Sequence, residues 1–340
     1  MSPVRPALLV ALLLATTGAA LAAEPGTEAN RAAIEARIEA LNAELTELQR
    51  QLETLPEENG GALDREEEAT REEIAQRRQL ERESTRNPLA ITSHRRNYLL
   101  PLSYSHDPET QNFAAVTNGN SPKDFEVKYQ FSVKVNMVED LFGDKGDLYF
   151  AYTQRSWWQA YNADSSSPFR ETNYEPEVFL SFDNAWRLFG WTNSRNRIAF
   201  NHQSNGQSGE LSRSWNRFYL ESLFRRGDWA LNLAPHWRVP ESSSDDDNPD
   251  IHRYMGYGDI TLARRLEGDA EASLMVRGNP GAGHMGAQVD YSWPLFGNIR
   301  GHVQYYYGYG ESLIDYDYRN QRLSLGFSIN PLFSGSGSAQ

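Results

Sequence analysis

His202 and Ser204 stand two residues apart in Arg197-Ile198-Ala199-Phe200-Asn201-His202-Gln203-Ser204-Asn205-Gly206. A serine hydroxyl becomes a useful nucleophile only when a base takes its proton, and imidazole suits that task because it titrates near neutrality. Residues two apart in a strand share a face, so Ile198, Phe200, His202 and Ser204 are expected to point the same way. Asn216, Phe218, Leu220, Ser222 and Phe224 share a face in the following stretch. Antiparallel pairing about a connection centred near residue 209 sets His202 opposite Asn216. An Asn carbonyl can accept the imidazole N–H and fix the tautomer, a part more often taken by Asp. Ser204, His202 and Asn216 therefore form a candidate catalytic set. The competing reading is a structural polar patch at the rim of an apolar face.

The elements that carry this set read as long strands. Phe125, Val127, Tyr129, Phe131, Val133, Val135 and Met137 alternate with Glu126, Lys128, Gln130, Ser132, Lys134 and Asn136. This alternation covers about 43 Å at about 3.3 Å per residue, long for a globular strand. The same pattern recurs at Ala287–Trp293, Val303–Tyr309 and Leu323–Phe333. Twelve candidate strands emerge, near 97–105, 124–138, 147–154, 175–182, 196–204, 214–224, 229–238, 258–265, 269–276, 283–295, 299–309 and 322–333. Polar connections at 106–123, 155–174, 239–256 and 310–321 are long, and those at 139–145, 225–228 and 266–268 are short. An even strand number with alternating loop lengths predicts an all-β transmembrane protein, a twelve-stranded antiparallel outer-membrane β-barrel. A soluble β-sandwich is the competing fold, but its strands would be shorter. On a barrel the apolar face meets lipid, where polar groups are costly and tend to serve a function. Gln154 shares a face with Leu148, Phe150 and Tyr152 and so points toward lipid. Pairing with its symmetry mate across a two-fold axis would satisfy its amide.

Composition agrees with this reading. The chain has 340 residues, no Cys, and 17 Tyr, 15 Phe and 8 Trp, enough for interfacial girdles. The absence of Cys excludes disulfides, zinc–thiolate sites and cysteine nucleophiles. A formal charge of −13 speaks against a nucleic-acid partner. Mean hydropathy is −0.66, and no internal stretch reaches the roughly 18 apolar residues of a membrane helix. Arg5, the apolar run Ala7–Ala15 and Ala20-Leu21-Ala22 read as a secretory signal peptide over 1–22. Ile34, Ile38, Leu41, Leu45, Leu48, Leu52 and Leu55 form a heptad seam. Asn59-Gly60-Gly61 interrupts the seam, and a charged helix-favouring stretch follows. Residues 23–86 thus read as an α-helical coiled-coil extension and linker on the periplasmic side, with an unknown partner. The barrel domain spans 87–333 and a flexible tail 334–340.

One family resemblance is specific. His202-Gln203-Ser204-Asn205-Gly206-Gln207-Ser208, followed by Ser212-Arg213-Ser214-Trp215-Asn216-Arg217, resembles the active-site region of the outer membrane phospholipase A family. Further similar segments are Tyr152-Thr153-Gln154, Trp157-Trp158-Gln159, the run Ser166 to Pro176, Asp246-Asp247-Asn248-Pro249-Asp250, Tyr254-Met255-Gly256-Tyr257 and Gly308 to Tyr316. Together they cover roughly 87–333.

The resemblance implies a calcium-dependent homodimer hydrolysing the sn-1 and sn-2 acyl esters of membrane phospholipids, and lysophospholipids as well. Ser204 would attack the acyl carbonyl, His202 would act as base and then acid, and Asn216 would orient His202. The oxyanion would be held by the backbone N–H of Gly206 or Ser204 and by water polarised on Ca2+. Ser212 and the carbonyl of Gln207 would bind the ion together with Ser166 of the partner subunit. Gln154 would lie at the dimer interface, and Asn173 and Tyr174 in a substrate-proximal loop. Two positions depart from the family pattern. Gln207 stands where Arg is common, and Gly209 stands where Asp is common. The second departure weakens a second calcium site that Asp247 would otherwise help to build. The readings from other classes are a non-catalytic porin, an envelope-tethering barrel and a related lipid deacylase.

Overall fold

The computed structural model describes residues 36–41, 43, 44, 68 and 92–329, apart from 118, 144 and 245. The signal-peptide reading and the tail lie outside these residues, as does most of the heptad seam. Residues 36–41, 43 and 44 are helical, with Ile38 and Leu41 exposed. They belong to a unit (Met1–Gly61) separate from the one that holds the strands.

Thirteen strands form one antiparallel sheet. They are β1 (Thr92–Ser93), β2 (Asn97–His106), β3 (Phe125–Val138), β4 (Asp147–Trp158), β5 (Phe169–Leu188), β6 (Trp191–Ser204), β7 (Ser214–Arg226), β8 (Trp229–Arg238), β9 (Gly258–Arg265), β10 (Glu271–Asn279), β11 (His284–Phe296), β12 (Ile299–Gly308) and β13 (Asn320–Ile329). From β2 onward each strand pairs with the next, and β13 returns to pair with β2. The result is a closed barrel of twelve strands, which removes every unpaired sheet edge. The short β1 lies alongside β3, and the buried residues 94–96 lead from it into β2. Among the described residues no helix is long and apolar enough to cross a membrane.

Alternation in sequence becomes inside and outside in space. Phe131, Val178, Ile198, Phe218, Ile260, Val289, Leu325 and Phe327 face outward and are exposed. The inward positions hold Glu126, Lys128, Arg197, Glu221, Arg277, Asp290, His302 and Arg322, all buried. These charges are paired. Glu126 accepts from Arg170 at 3.0 Å and lies 2.6 Å from Arg322, and Lys128 donates to Glu311 at 2.8 Å. Arg277 holds Asp259 through two bonds, at 3.1 and 2.7 Å. Pairing of this kind offsets the large cost of removing charge from water. Interior cavities lined by Tyr98, Arg277 and Gln304 and by Glu175, Arg217 and Asp259 are small, about 30 Å³ each, a volume suited to ordered water. The lumen is thus filled by side chains, unlike the aqueous channel of a porin.

The strand boundaries near the site differ from the expected ones. The connection read over 155–174 is shorter, because β4 continues to Trp158 and β5 begins at Phe169. Both ends break the simple alternation: Trp157 is fully buried while Trp158 stacks on Phe169 at 5.6 Å. β5 also extends past 182 to Leu188, well beyond its apolar run. Two short helices, α1 (Gln111–Val116) and α2 (His252–Met255), sit in the long loops. Residues Ile251 and Met255 around α2 pack with Trp215, Leu313 and Tyr316 at the outer end of the barrel.

Candidate active site

β6 and β7 pair in the register that sets His202 opposite Asn216 and Ser204 opposite Ser214. Ile198 and Phe200 precede them on the same outer face, and Phe200 lies 5.1 Å from Phe218 between ring centroids. The polar set therefore ends an apolar stripe on the outside of the barrel. The intervening residues anchor the strand ends from within. Trp215 Nε1 donates to Gln203 Oε1 at 2.8 Å, and Gln203 Nε2 donates to Glu175 Oε1 at 2.7 Å. Trp215 is fully buried, so the two strands cannot slide without breaking a closed network.

His202 Nδ1 lies 2.9 Å from Asn216 Oδ1. An amide can present either its oxygen or its NH2 group, so the roles need a further argument. Asn216 Nδ2 supplies it by donating to Glu241 Oε1 at 3.1 Å. A carboxylate accepts only, which turns the NH2 group toward Glu241 and the oxygen toward the imidazole. Nδ1 then carries the proton, and Nε2 is the basic nitrogen. Ser204 stands one outward-facing position beyond His202. Glu241 follows β8 in a polar loop, and the sequence gives no periodicity that would bring it here.

The chain after Ser204 is shaped by Asn205, a buried residue that sequence reasoning did not single out. Its Oδ1 accepts from the backbone N–H of Gln207 at 3.2 Å and of Arg213 at 3.0 Å. Its Nδ2 donates to the Leu211 carbonyl at 2.9 Å. One side chain thus closes the whole loop. Gly206 has φ +68, and a Cβ there would meet Tyr174 at 3.1 Å. Both facts favour glycine at this position. The loop brings Ser212 to Asp247, with Oγ donating to Oδ2 at 2.5 Å. Asn248 Oδ1 accepts from the Ser214 backbone at 2.9 Å, and Asp246 pairs with Arg238. A hydroxyl beside a carboxylate is a donor set suited to a hard cation. Among the described residues no group of three or more His, Cys, Asp or Glu side chains is placed to hold a metal. Gly209 contributes no carboxylate to such a cluster, so a cation placed here would rely on neutral oxygens and Asp247.

Tyr174 and Asn173 lie in β5 and not in a loop. Tyr174 pairs directly with Ser204 on one side and Gln154 on the other. Gln154, Tyr174, Ser204 and Ser214 thus form one row across four strands. Asn173 turns inward, is buried, and accepts from the Leu313 backbone at 3.1 Å, a structural role and not a substrate-facing one. Gln154 is partly satisfied within the chain: Nε2 reaches Ser156 Oγ at 3.2 Å and Tyr129 at 3.4 Å, and Oε1 accepts from Tyr152 at 3.3 Å. Ser166 is exposed and left-handed (φ +59) in the β4–β5 loop, a different loop from the one that carries Gln207 and Ser212. Above the barrel mouth Tyr316 donates to Asp250 at 2.5 Å. Burial and that carboxylate push the Tyr316 hydroxyl well above the ordinary tyrosine range. Burial also raises Asp317 beside it.

The sequence pattern of the phospholipase A1 family matches residues 74–329. The phospholipase A1 of Escherichia coli is 39% identical over 247 residues, covering 73% of this chain and 84% of that protein. The Salmonella typhimurium phospholipase A1 is 40% identical over 250 residues, covering 73% and 84%. Among solved structures, outer membrane phospholipase A from Escherichia coli superposes with a TM-score of 0.68 at 37% identity, covering 72% of this chain and all of that one. The Salmonella typhi outer membrane phospholipase, a dimer with bound calcium, gives 0.69 at 36% identity and covers 73% and 94%.

The chain belongs to the phospholipase A1 family. It is a phospholipase built on an outer-membrane β-barrel, and its candidate catalytic side chains occupy the outer surface of that barrel. Such a placement suits a substrate whose acyl chains stay in the lipid layer. The same family membership makes a porin reading unnecessary for a barrel whose lumen is already filled.

Proposed function

We propose that this phospholipase hydrolyses the sn-1 and sn-2 acyl esters of membrane phospholipids, and of lysophospholipids, by a Ser204–His202–Asn216 mechanism. The observation that carries the reading is the 2.9 Å contact of His202 with Asn216 on the lipid-facing surface, one outward position from Ser204. Ser204 Oγ adds to the acyl carbonyl while His202 Nε2 takes its proton. The tetrahedral intermediate collapses, and the leaving glycerol oxygen receives the proton from His202. Water then attacks the acyl-enzyme with His202 again as base, which releases the fatty acid and restores Ser204. Asn216 holds the ring and stabilises the imidazolium. The backbone N–H of Gly206, or of Ser204 itself, donates to the oxyanion.

The residues present fit a calcium ion in part. Ser212 and the Gln207 carbonyl would hold it, with Ser166 of the partner subunit completing the set. Asp247 lies close to Ser212 and would help hold either this ion or a second one. Bound Ca2+ supplies Lewis-acid stabilisation of negative charge on the substrate. The Salmonella typhi relative, solved as a calcium-bound dimer, supports this assignment. Dimerisation through the Gln154 face would complete the ion site and an acyl groove, so assembly would switch activity on. The remaining organisation is proposed as read from the sequence: signal peptide 1–22, a periplasmic helical extension and linker over 23–86, the barrel over 87–333, and a tail.

Phospholipid hydrolysis in detergent micelles tests the proposal. Activity is expected to require Ca2+, to follow the dimer fraction, and to vanish in Ser204→Ala and His202→Ala. Full activity from isolated monomers in a chelator would overturn the calcium and assembly parts. Undiminished activity in Ser204→Ala would overturn the mechanism.

A further inference from the structure

Glu241 occupies a position that the mechanism above does not use. Its Oε1 lies 3.1 Å from Asn216 Nδ2, and Asn216 Oδ1 lies 2.9 Å from His202 Nδ1. The three groups form a single line, carboxylate to amide to imidazole. Glu241 is only partly exposed, and Arg238 stands 3.8 Å from it while pairing more closely with Asp246. The loop is also tied to β7, since the Val239 backbone donates to the Asn216 carbonyl at 2.8 Å. The carboxylate is therefore held beside Asn216 by backbone as well as by side chain.

We infer that Glu241 is a positioning residue for the catalytic histidine, supplying through Asn216 the negative charge that an Asn-type orienting group lacks. The inference rests on the Ser204–His202–Asn216 reading. Two effects follow from the geometry. First, an acceptor-only partner fixes the amide so that its oxygen faces the imidazole, which selects the tautomer with a basic Nε2. Second, a carboxylate accepting from the amide polarises it, so Oδ1 becomes a better acceptor for the imidazolium N–H. The second effect grows as positive charge develops on the ring, so it favours the transition state over the ground state. A neutral orienting group thus acquires part of the character of an aspartate without placing a charge against the lipid face.

Three variants separate these effects from a loop-shaping role. Glu241→Gln keeps an oxygen that can accept from Asn216 but removes the charge. Glu241→Ala removes both, and Glu241→Asp keeps the charge on a shorter arm. The readouts are kcat and KM in mixed micelles, and the pH profile of Ser204 modification by a lipid sulfonyl fluoride. The acid limb of that profile reports the loss of neutral His202. In Glu241→Gln we expect kcat to fall about fivefold to tenfold with unchanged KM, the size of a weakened charge-assisted bond. The acid limb should move to lower pH, because an imidazolium without the nearby charge loses its proton more readily. Glu241→Ala should show the same displacement with a larger loss of kcat, and Glu241→Asp should keep the wild-type limb. In an Asn216→Ala background, Glu241→Gln should produce little further displacement. Superimposable profiles for wild type and Glu241→Gln, or equal displacement with and without Asn216, would overturn the inference. If Ser204→Ala is inactive and Asn216→Ala impaired while Glu241→Gln matches wild type, the Glu241 role alone fails. If Ser204→Ala is active, the mechanism beneath it fails.

Discussion

Replacing Asn216 by Ala removes the acceptor that lies 2.9 Å from His202 Nδ1. Before reaction the ring is neutral, and such a bond contributes about 1 kcal/mol net. When His202 carries the serine proton the same bond is charge-assisted and contributes about 1.5–3 kcal/mol. The difference, roughly 0.5–2 kcal/mol, acts on the transition state alone and corresponds to about twofold to thirtyfold in kcat. The ring is also freed to adopt the other tautomer, in which Nε2 carries the proton and cannot accept from Ser204. Together these give an expected fall in kcat of about 10- to 100-fold. In this mechanism Asn216 acts on the imidazole and not on the acyl chains, so KM should stay within about twofold. Both His202 and Asn216 are half-buried at the barrel surface and stand outside the lumenal ion-pair network, so the barrel should remain stable. Steady-state hydrolysis of a phospholipid in mixed micelles at saturating Ca2+ gives both parameters. An unchanged kcat would show that the imidazole is oriented by something other than this amide. A loss confined to KM would show that Asn216 contacts substrate instead.

Other expectations follow from the same geometry. Gly206→Ala should lower kcat about tenfold or more, because a Cβ at φ +68 meets Tyr174 at 3.1 Å and displaces the backbone N–H; a normal rate would free that N–H from oxyanion binding. Ser212→Ala should raise the Ca2+ concentration needed for half-maximal activity, read from a calcium titration of hydrolysis, with little change in barrel stability. Glu126→Gln leaves Arg170 and Arg322 short of a buried counter-charge and should destabilise the barrel by about 3 kcal/mol, read as a lower urea midpoint for unfolding in detergent. The Tyr316 hydroxyl is raised above its ordinary value, so its contribution is complete below about pH 10 and is lost as pH climbs through the raised value. Amide exchange in the 309–319 loop should therefore accelerate above that pH in wild type. Tyr316→Phe should exchange faster at neutral pH and lack the additional alkaline acceleration.

The barrel and the placing of His202 against Asn216 on its outer face were legible because both rest on the same two-residue period. Once Phe200 and Phe218 are placed on the lipid side, His202, Ser204 and Asn216 have no choice of face, and pairing about the short connection sets the register. Tyr174 was misread as a loop residue because, after Phe169, β5 runs through Arg170-Glu171-Thr172-Asn173, a polar run whose side chains bind other lumenal and loop groups instead of forming an apolar stripe. Asn173 was given a substrate-side role that its inward direction forbids. Asn205 and Glu241 stayed hidden for a different reason. Each acts through hydrogen bonds whose partners are set by loop shape, Asn205 across its own loop and Glu241 from 25 residues beyond Asn216. Neither leaves a periodic trace. The filled lumen was equally silent in sequence, since alternating polar residues line a water-filled channel and a packed ion-pair network alike.

The central claim is that hydrolysis occurs on the outer surface of the barrel, at Ser204. Its most direct test is mass spectrometry of the protein after reaction with a long-chain sulfonyl fluoride in micelles, paired with residual activity. The account predicts one adduct, located on Ser204, with activity falling in proportion to its occupancy, and no adduct in Ser204→Ala. A fully inactivated enzyme carrying its adduct on a lumenal or loop residue, or full activity with Ser204 modified, would contradict it.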